Sequence, residues 1–337
     1  MTSRPIGIVG AGAWGTALAQ VMATAGHEVV LWAHEPETAA AINEQRCNTS
    51  FLPDARLHQQ ITASTDLADL GSCAPLLLVT PAQHLRTVTS QIRQHVRGPT
   101  PLIVCAKGIE RGSGALMLDV LREVAPDMQH GMLSGPSFAH DVAAGKPTAL
   151  TLACRDATLG QDLLECLGSR PFRLYWTDDT IGVQLGGAMK NVLAIAAGIV
   201  AGRELGASAH AALVTRGFAE LQRLGLALGA RGETLAGLSG LGDLLLTCGS
   251  PASRNMSLGL DLGRGRSLAD ILSGRASVTE GVYTAAAVLE LAQRAQVDMP
   301  ISQAVHAILE GAMTVDDAIN GLLSRPMKAE LGSPMAV

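Results

Sequence analysis

The chain has 337 residues, 47% of them hydrophobic and 16% charged, with a formal net charge of −5. That length and apolar content suit two domains with their own cores and exclude a disordered chain, while an acidic balance without a basic block argues against nucleic acid as a main partner. Phe, Tyr and Trp together make up only 3% beside 37 glycines, a composition suited to closely packed helices.

The N-terminal MTSRPIGIVGAGAWG enters a strand-like run at once, with no stretch that reads as a signal peptide. Cysteines at 47, 73, 105, 154, 166 and 248 form no C-x-x-C pair. Neither a disulfide framework nor a metal site is expected, and reduced thiols in a cytoplasmic protein are the simpler reading.

To about residue 176, short apolar runs alternate with helical patterns. IGIVGAG (6–12), HEVVLWA (27–33), PLLLVT (75–80), PLIVCAK (101–107) and HGMLSG (130–135) read as strands, with amphipathic segments at 15–26, 36–46, 82–95 and 114–124. Such alternation predicts βαβ units and a doubly wound parallel sheet, whose strands are buried on both faces and so look continuously apolar. TALTLAC (148–154) and FRLYW (172–176) extend the sheet. After Asp178 the strand signal stops, and the chain to about Ser324 is rich in Ala, Leu and Gly, with breaks such as Gly206, Gly232 and Gly263. The expected fold class is α/β, with a Rossmann-type domain over 1–178, an all-helical domain over 179–330 and a flexible tail at 331–337.

The first strand runs into GAGAWG, with a helix behind it and a second strand about twenty residues on. In that setting Gly10 allows the tight turn, Gly12 lets backbone approach a pyrophosphate, and Gly15 permits close helix–strand packing. The pyrophosphate then rests on the helix N-terminus. The second strand ends LWAHEPE, so Ala33 and His34 stand where an acidic residue would bind the adenosine ribose of NAD. Loss of the acid removes a repulsion against a 2′-phosphate. NADPH is therefore expected, alongside or in place of NADH.

Ligands of open parallel sheets bind beyond the carboxyl ends of the strands. Lys107 and the Gly135–Ser137 turn lie at two such ends. In the helical half, GLSGLGDLLLTCGSPASRN (237–255) places Asp243 in a Gly-rich turn, then Ser250-Pro251 as a helix N-cap and first turn, with Ser253, Arg254 and Asn255 following. A helix start carrying such side chains suits a phosphate. The run LGGAMKNVLAIAAGIVAG (185–202) carries Lys190 and Asn191 among small and aliphatic residues. It is too short for a membrane span. Lys190 either snorkels along an apolar surface or lines a closed pocket, where desolvation makes it a proton donor.

GAGAWGTALA, AKGIE, SGPSFA, LGGAMKNVLAIAAGI, ALVTRGFAEL, GLGDLLLTC, SRN and VTEG, with the closing SRPMKAE, occur in this order over nearly the whole chain. Together they resemble the soluble NAD(P)-dependent glycerol-3-phosphate dehydrogenases of bacteria. One departure is LGASAHAAL (205–213), where that family often has an Asn and a basic residue. The resemblance implies reversible reduction of dihydroxyacetone phosphate to sn-glycerol 3-phosphate, at the head of phospholipid synthesis. It makes Lys190 the proton donor and acceptor at the C2 oxygen, with Lys107 touching both substrate and cofactor. Gly135, Ser137, Asp243 and Ser253 would hold the substrate, and Arg254 and Asn255 its phosphate. Ala13, Trp14, His34 and Ala139 would lie along the cofactor, which Arg254 also meets and over which Val278 and Glu280 close.

A free lysine has a pKa of about 10.4. Desolvation and Lys107 should lower that of Lys190, while Asp243 raises it or holds its orientation. Asn191, turned about 100° around the helix, is expected to orient a different group. Ketopantoate reductases and other hydroxyacid dehydrogenases share such a layout but need a carboxylate site in place of the SRN phosphate site. A non-catalytic NAD(P) sensor would have no use for Lys107, Lys190 and Asp243 together. The expected partner is a phosphorylated triose, with no nucleic acid and no membrane insertion. A homodimer through the apolar helical half is expected, although no motif carries it.

Overall fold

The computed structural model describes residues 4–273 and 279–327. The expected tail at 331–337 and Val278 lie outside them. Eight strands, β1 (Ile6–Val9), β2 (Val29–Trp32), β3 (Ile61–Ser64), β4 (Leu76–Leu78), β5 (Pro101–Val104), β6 (Gln129–Ser134), β7 (Thr148–Ala153) and β8 (Phe172–Thr177), form one sheet. Their order is β3-β2-β1-β4-β5-β6-β7-β8. The chain thus winds outward in both directions from the β1/β4 pair, and the crevice at that switch point is where such sheets bind ligands.

Helices α1 (Ala13–Thr24), α2 (Pro36–Gln45), α3 (Leu85–Ile92), α4 (Met117–Val124), α5 (Ala139–Ala143) and α6 (Ala157–Leu167) link the strands. The foreseen strands, β8 excepted, end before the apolar runs that foretold them. The surplus residues, among them Gly10, Ala33, Thr80, Lys107 and Gly135, form the loops at the strands' carboxyl ends.

Two features depart from expectation. β3 was not foreseen: its four residues ITAS alternate buried and exposed, as an edge strand does, and form no continuous apolar run. The sheet is also not wholly parallel, because β7 runs antiparallel to β6, while β8 is parallel to β7. The link between β6 and β7 carries only the five-residue α5. A helix that short advances about 7 Å, far less than the roughly 20 Å of a six-residue strand, so it does not return the chain to the start of the sheet.

β8 ends at Thr177 and α7 (Thr180–Gly202) begins three residues on. The helices that follow are α8 (Ala207–Ala227), α9 (Gly232–Ala236), α10 (Asp243–Cys248), α11 (Arg254–Gly263), α12 (Leu268–Ser273), α13 (Glu280–Arg294), α14 (Pro300–Leu309) and α15 (Val315–Leu323). All but α12, which packs on α11, and α15, which packs on α14, pack against α7. α7 begins earlier than its apolar run, and its 23 residues are long and apolar enough to cross a bilayer. That corrects the expectation of a run too short for a span. What places α7 inside the protein is burial: 89% of its most apolar window is covered by the fold.

The crossing of α7 with α11 explains four of the glycines. Gly198 and Gly202 of α7 face Gly259 and Gly263 of α11. A Cβ on Gly198 would lie 2.1 Å from the Met256 carbonyl oxygen, and one on Gly259 2.0 Å from that of Ile195. Backbone touches backbone, which leaves no room for any side chain at these positions. The start of α11 is thereby fixed against the helix that carries Lys190.

Candidate active site

At the first β–α turn, Gly10 has φ +116°, and a Cβ there would lie 3.1 Å from the Thr80 amide nitrogen. Gly15 is more constrained, since its Cβ would sit 1.9 Å from the Gly10 carbonyl oxygen. At Gly12 a Cβ would meet nothing within 4 Å. Two of the three glycines therefore serve the turn itself, and Gly12 keeps open a space that the protein does not fill. α1 starts behind Gly12 without a side-chain cap, so its first N–H groups are available to a ligand.

Ala13 and Trp14 are half-buried at the same rim, and α5, which opens with Ala139, packs on α1. His34 is exposed at the tip of β2, its ring 6.0 Å from that of Trp32. Sequence reasoning missed Asn48, which is fully buried. Its Nδ2 donates to the Ala11 carbonyl (2.8 Å) and the Thr16 hydroxyl (2.7 Å), and its Oδ1 accepts from the Phe51 amide. It braces the glycine turn from behind, and nothing in the polar segment RCNTSFLP signals that task.

Thr80, Ser134, Thr279 and Glu280 each have a buried polar atom without a hydrogen-bond partner among the described residues. Thr80 adjoins Gly10, Ser134 adjoins Gly187 and Lys107, and a Cβ on Gly108 would lie 3.6 Å from Glu280 Oε2. Burial raises the pKa of Glu280, against the opposing pull of the Ala82 backbone and Arg254. Orphaned polar atoms are expensive unless a ligand completes them. Together with the open space at Gly12, they fit a dinucleotide lying across the crevice.

A second polar cluster joins both halves of the molecule. Asp243 is fully buried and accepts from two lysines, Lys190 Nζ at 2.5 Å on Oδ1 and Lys107 Nζ at 2.6 Å on Oδ2. Lys107 also donates to the Gly135 carbonyl (3.1 Å), and the Ser137 hydroxyl donates to that same oxygen (3.2 Å). Gly135 has φ +148°, and a Cβ there would press on Leu150. Lys190 is therefore no snorkelling surface residue: only 8% of it is exposed.

Its pKa falls to about 8, with desolvation the largest cause. Asp243 opposes the fall and Lys107 reinforces it. Thr247, also missed by sequence reasoning, receives a hydrogen bond from Lys190 Nζ at 3.1 Å and donates its own proton to the Asp243 carbonyl at 2.6 Å. It stands one helical turn after Asp243, the i+4 spacing that could have flagged it.

Asp243 is not in a loop. It opens α10 directly after a π-helical turn at Leu238–Gly242. Gly240 permits that turn, since a Cβ there would lie 1.9 Å from the Leu235 carbonyl oxygen. Gly186 of α7 lets the turn close in, as its Cβ would meet the Ser239 carbonyl oxygen at 2.5 Å.

The start of α11 also differs from expectation. Ser250-Pro251 closes a turn, in which the Ser253 amide donates to the Ser250 carbonyl, and Ser253 is the N-cap, its hydroxyl accepting from the Met256 amide. Proline at the second position of a turn is as favourable as at a helix start, so SPASRN fits both readings. Arg254 is exposed on the first turn. Asn255 is buried, its Nδ2 donating to Asn191 Oδ1 (2.9 Å) and its Oδ1 accepting from the Gly281 amide (3.0 Å). Asn191 thus orients Asn255, as its position one residue past Lys190 suggested. One N–H of the Asn255 amide is left for a ligand.

Comparison with known proteins agrees with this geometry. Residues 5–160 match the family model for the NAD-dependent glycerol-3-phosphate dehydrogenase N-terminus, and residues 179–320 match that for its C-terminus. The chain is 57% identical over 327 residues to "Glycerol-3-phosphate dehydrogenase [NAD(P)+]" of Maricaulis maris, covering 97% of this chain and 98% of the relative. The crystal structure of glycerol-3-phosphate dehydrogenase from Coxiella burnetii superposes with a TM-score of 0.92 at 38% identity, covering 96% of this chain and 99% of that one. A PanE/ApbA family ketopantoate reductase from Ralstonia eutropha reaches a TM-score of 0.60 at 18% identity over 94% of this chain and 99% of its own, a likeness of fold alone.

Proposed function

The chain belongs to the NAD-dependent glycerol-3-phosphate dehydrogenase family, and on that premise we propose how its residues reduce dihydroxyacetone phosphate to glycerol 3-phosphate with NAD(P)H. The bound nicotinamide supplies the hydride. Gly10, Gly12, Ala13, Trp14 and Gly15 would hold the dinucleotide at the N-terminus of α1, with His34 towards its adenosine end and Ala139 alongside. Glu280 would close over it.

As the substrate carbonyl is reduced, charge builds on its oxygen. Lys190 stabilises that charge and delivers the proton, and in the reverse direction it takes the proton back. A pKa of about 8 suits both directions near neutral pH. Asp243 holds Lys190 and Lys107 on its two carboxylate oxygens, so two ammonium groups share one site without a second buried anion. Lys107 faces substrate and cofactor together, and Gly135 and Ser137 line the substrate's path. Ser253, Arg254 and Asn255 hold the phosphate at the N-terminus of α11, and Arg254 extends to the cofactor. The phosphate does not react, so its binding energy aligns the carbonyl.

The observation that carries this reading is the buried Lys107–Asp243–Lys190 chain, assembled from β5's loop, α10 and α7. In this reading residues 1–178 form the cofactor domain and 179–330 the substrate domain. The six cysteines are unpaired, which suits a reducing cytoplasm. A homodimer through the apolar helical half belongs to the same reading.

Arg254→Ala tests the phosphate assignment. With reduced-nicotinamide absorbance as the readout, the variant loses about a hundredfold or more in kcat/KM for dihydroxyacetone phosphate. It loses little for unphosphorylated dihydroxyacetone. Equal losses on both substrates would put Arg254 elsewhere.

A further inference from the structure

We propose that Asp179 is a positioning residue: by capping two helices at once, its carboxylate sets the register in which Lys190 meets Asp243. The inference rests on the lysine reading above and concerns a residue that touches neither substrate nor cofactor in that reading. Asp179 is the N-cap of α7, and Oδ1 accepts from the Gly182 amide at 2.8 Å. Its other oxygen, Oδ2, accepts from the amide of Arg231 at 2.8 Å. Arg231 is itself the N-cap of α9, the helix that leads through the π turn into α10. One buried carboxylate therefore ties together the starts of the two segments that carry the catalytic pair. Asp179 is 8% exposed, so water does not compete freely for these bonds.

From that tie the two segments run side by side in the same direction. Asp179 meets Arg231, Gly186 meets Ser239 and Gly240, and Lys190 meets Asp243. The middle contact is a close backbone approach that Gly186 permits. The double cap fixes the end of the register from which the two segments set out. A slip there of even an ångström would lengthen the Lys190–Asp243 contact. Misplacement on that scale costs catalytic rate out of proportion to its size. The side chain of Arg231 adds a separate clasp, its guanidinium donating to Thr177 Oγ1 (2.8 Å) and Asp178 Oδ1 (2.5 Å). That clasp is exposed and is not part of the register.

Among the described residues, three charged or titratable groups bear on Lys190: Asp243 and Cys248 from α10, and Lys107 from the loop after β5. The Cys248 thiol is pushed up to about 12 by burial and does not titrate in the range of interest. Weakening the Asp243 contact removes the influence that holds the Lys190 proton and leaves desolvation and Lys107. The pH at which reduction fails should then move down.

Asp179→Asn separates the two caps, because asparagine is a good N-cap for α7 but presents its second amide group as a donor to the Arg231 N–H. Asp179→Ser, also a good N-cap, gives the same separation by another route. Both variants should keep the wild-type dissociation constant for NADPH. In each, kcat for dihydroxyacetone phosphate reduction falls by about tenfold to a hundredfold. The alkaline midpoint of the kcat profile drops by about half a unit or more. Arg231→Ala, which keeps the main-chain amide, leaves that midpoint in place. A lowered Tm with the midpoint and kcat unchanged in both variants would reduce Asp179 to a structural cap and overturn the proposal. A wild-type profile that stays flat through pH 8 would instead overturn the lysine reading itself.

Discussion

At Lys190 two large influences compete. Burial raises the cost of the charged form, while Asp243 at 2.5 Å favours it. Asp243 divides its attention with Lys107, and desolvation wins, bringing Lys190 down from 10.5 to about 8. In the proposed mechanism reduction needs the protonated amine, so its kcat should be full below that value and fall as pH rises through about 8. Oxidation of glycerol 3-phosphate needs the neutral amine and should rise over the same interval. Initial rates of both reactions between pH 6 and pH 10 check this, and two profiles moving in the same direction would exclude Lys190 as the proton carrier. The same displacement costs stability at neutral pH, because the unfolded lysine binds its proton more tightly; that cost fades as pH rises from about 8 towards 10.5. The sequence identified both partners of Lys190 but not the winner, because burial depth is a tertiary quantity that no local pattern encodes. Thr247 and Asn48 escaped notice for a related reason: single polar residues acquire meaning only from what the fold sets beside them.

Elements position these residues through backbone contact, and glycine is the usual means. The three glycines of the first turn do different work, which gives a sharp contrast. Gly15→Ala would force a Cβ to 1.9 Å from the Gly10 carbonyl oxygen and should cost several kcal/mol of stability. A Cβ at Gly12 meets nothing within 4 Å, so Gly12→Ala should leave Tm unchanged. It should instead weaken NADPH binding by about tenfold or more, since the methyl group occupies the space a pyrophosphate needs. Thermal melts and cofactor titrations of the two variants check the contrast, and unchanged NADPH affinity in Gly12→Ala would place the dinucleotide elsewhere. The glycine spacing itself was legible from sequence, as were seven of the eight strands. β3 was not, since ITAS carries neither a continuous apolar run nor enough residues to display its alternation. The start of α11 was placed three residues early at Ser250, because a Ser-Pro pair opens a turn as readily as a helix. The reversal of β7 depends on the short reach of α5, which strand propensity does not register.

In the whole molecule the sheet supplies the proposed cofactor crevice and Lys107, the helical half supplies Lys190, Asp243 and the start of α11, and the buried carboxylate of Asp243 joins the two. The division into a sheet half and a helical half was plain in the sequence, since the apolar period changes near Asp178. The tie at Asp179 was not, because TDD at a domain junction looks like an ordinary polar turn. If the two halves divide the labour in this way, chemistry and cofactor binding should be separable. The most direct test is Lys190→Ala, with turnover followed by loss of reduced-nicotinamide absorbance on adding dihydroxyacetone phosphate and NADPH affinity measured on the same sample. Turnover should fall by about a thousandfold or more while the cofactor dissociation constant stays within about twofold of wild type. A variant that kept more than about a tenth of the wild-type rate, a loss below about 1.4 kcal/mol of transition-state stabilisation, would show that another group delivers the proton.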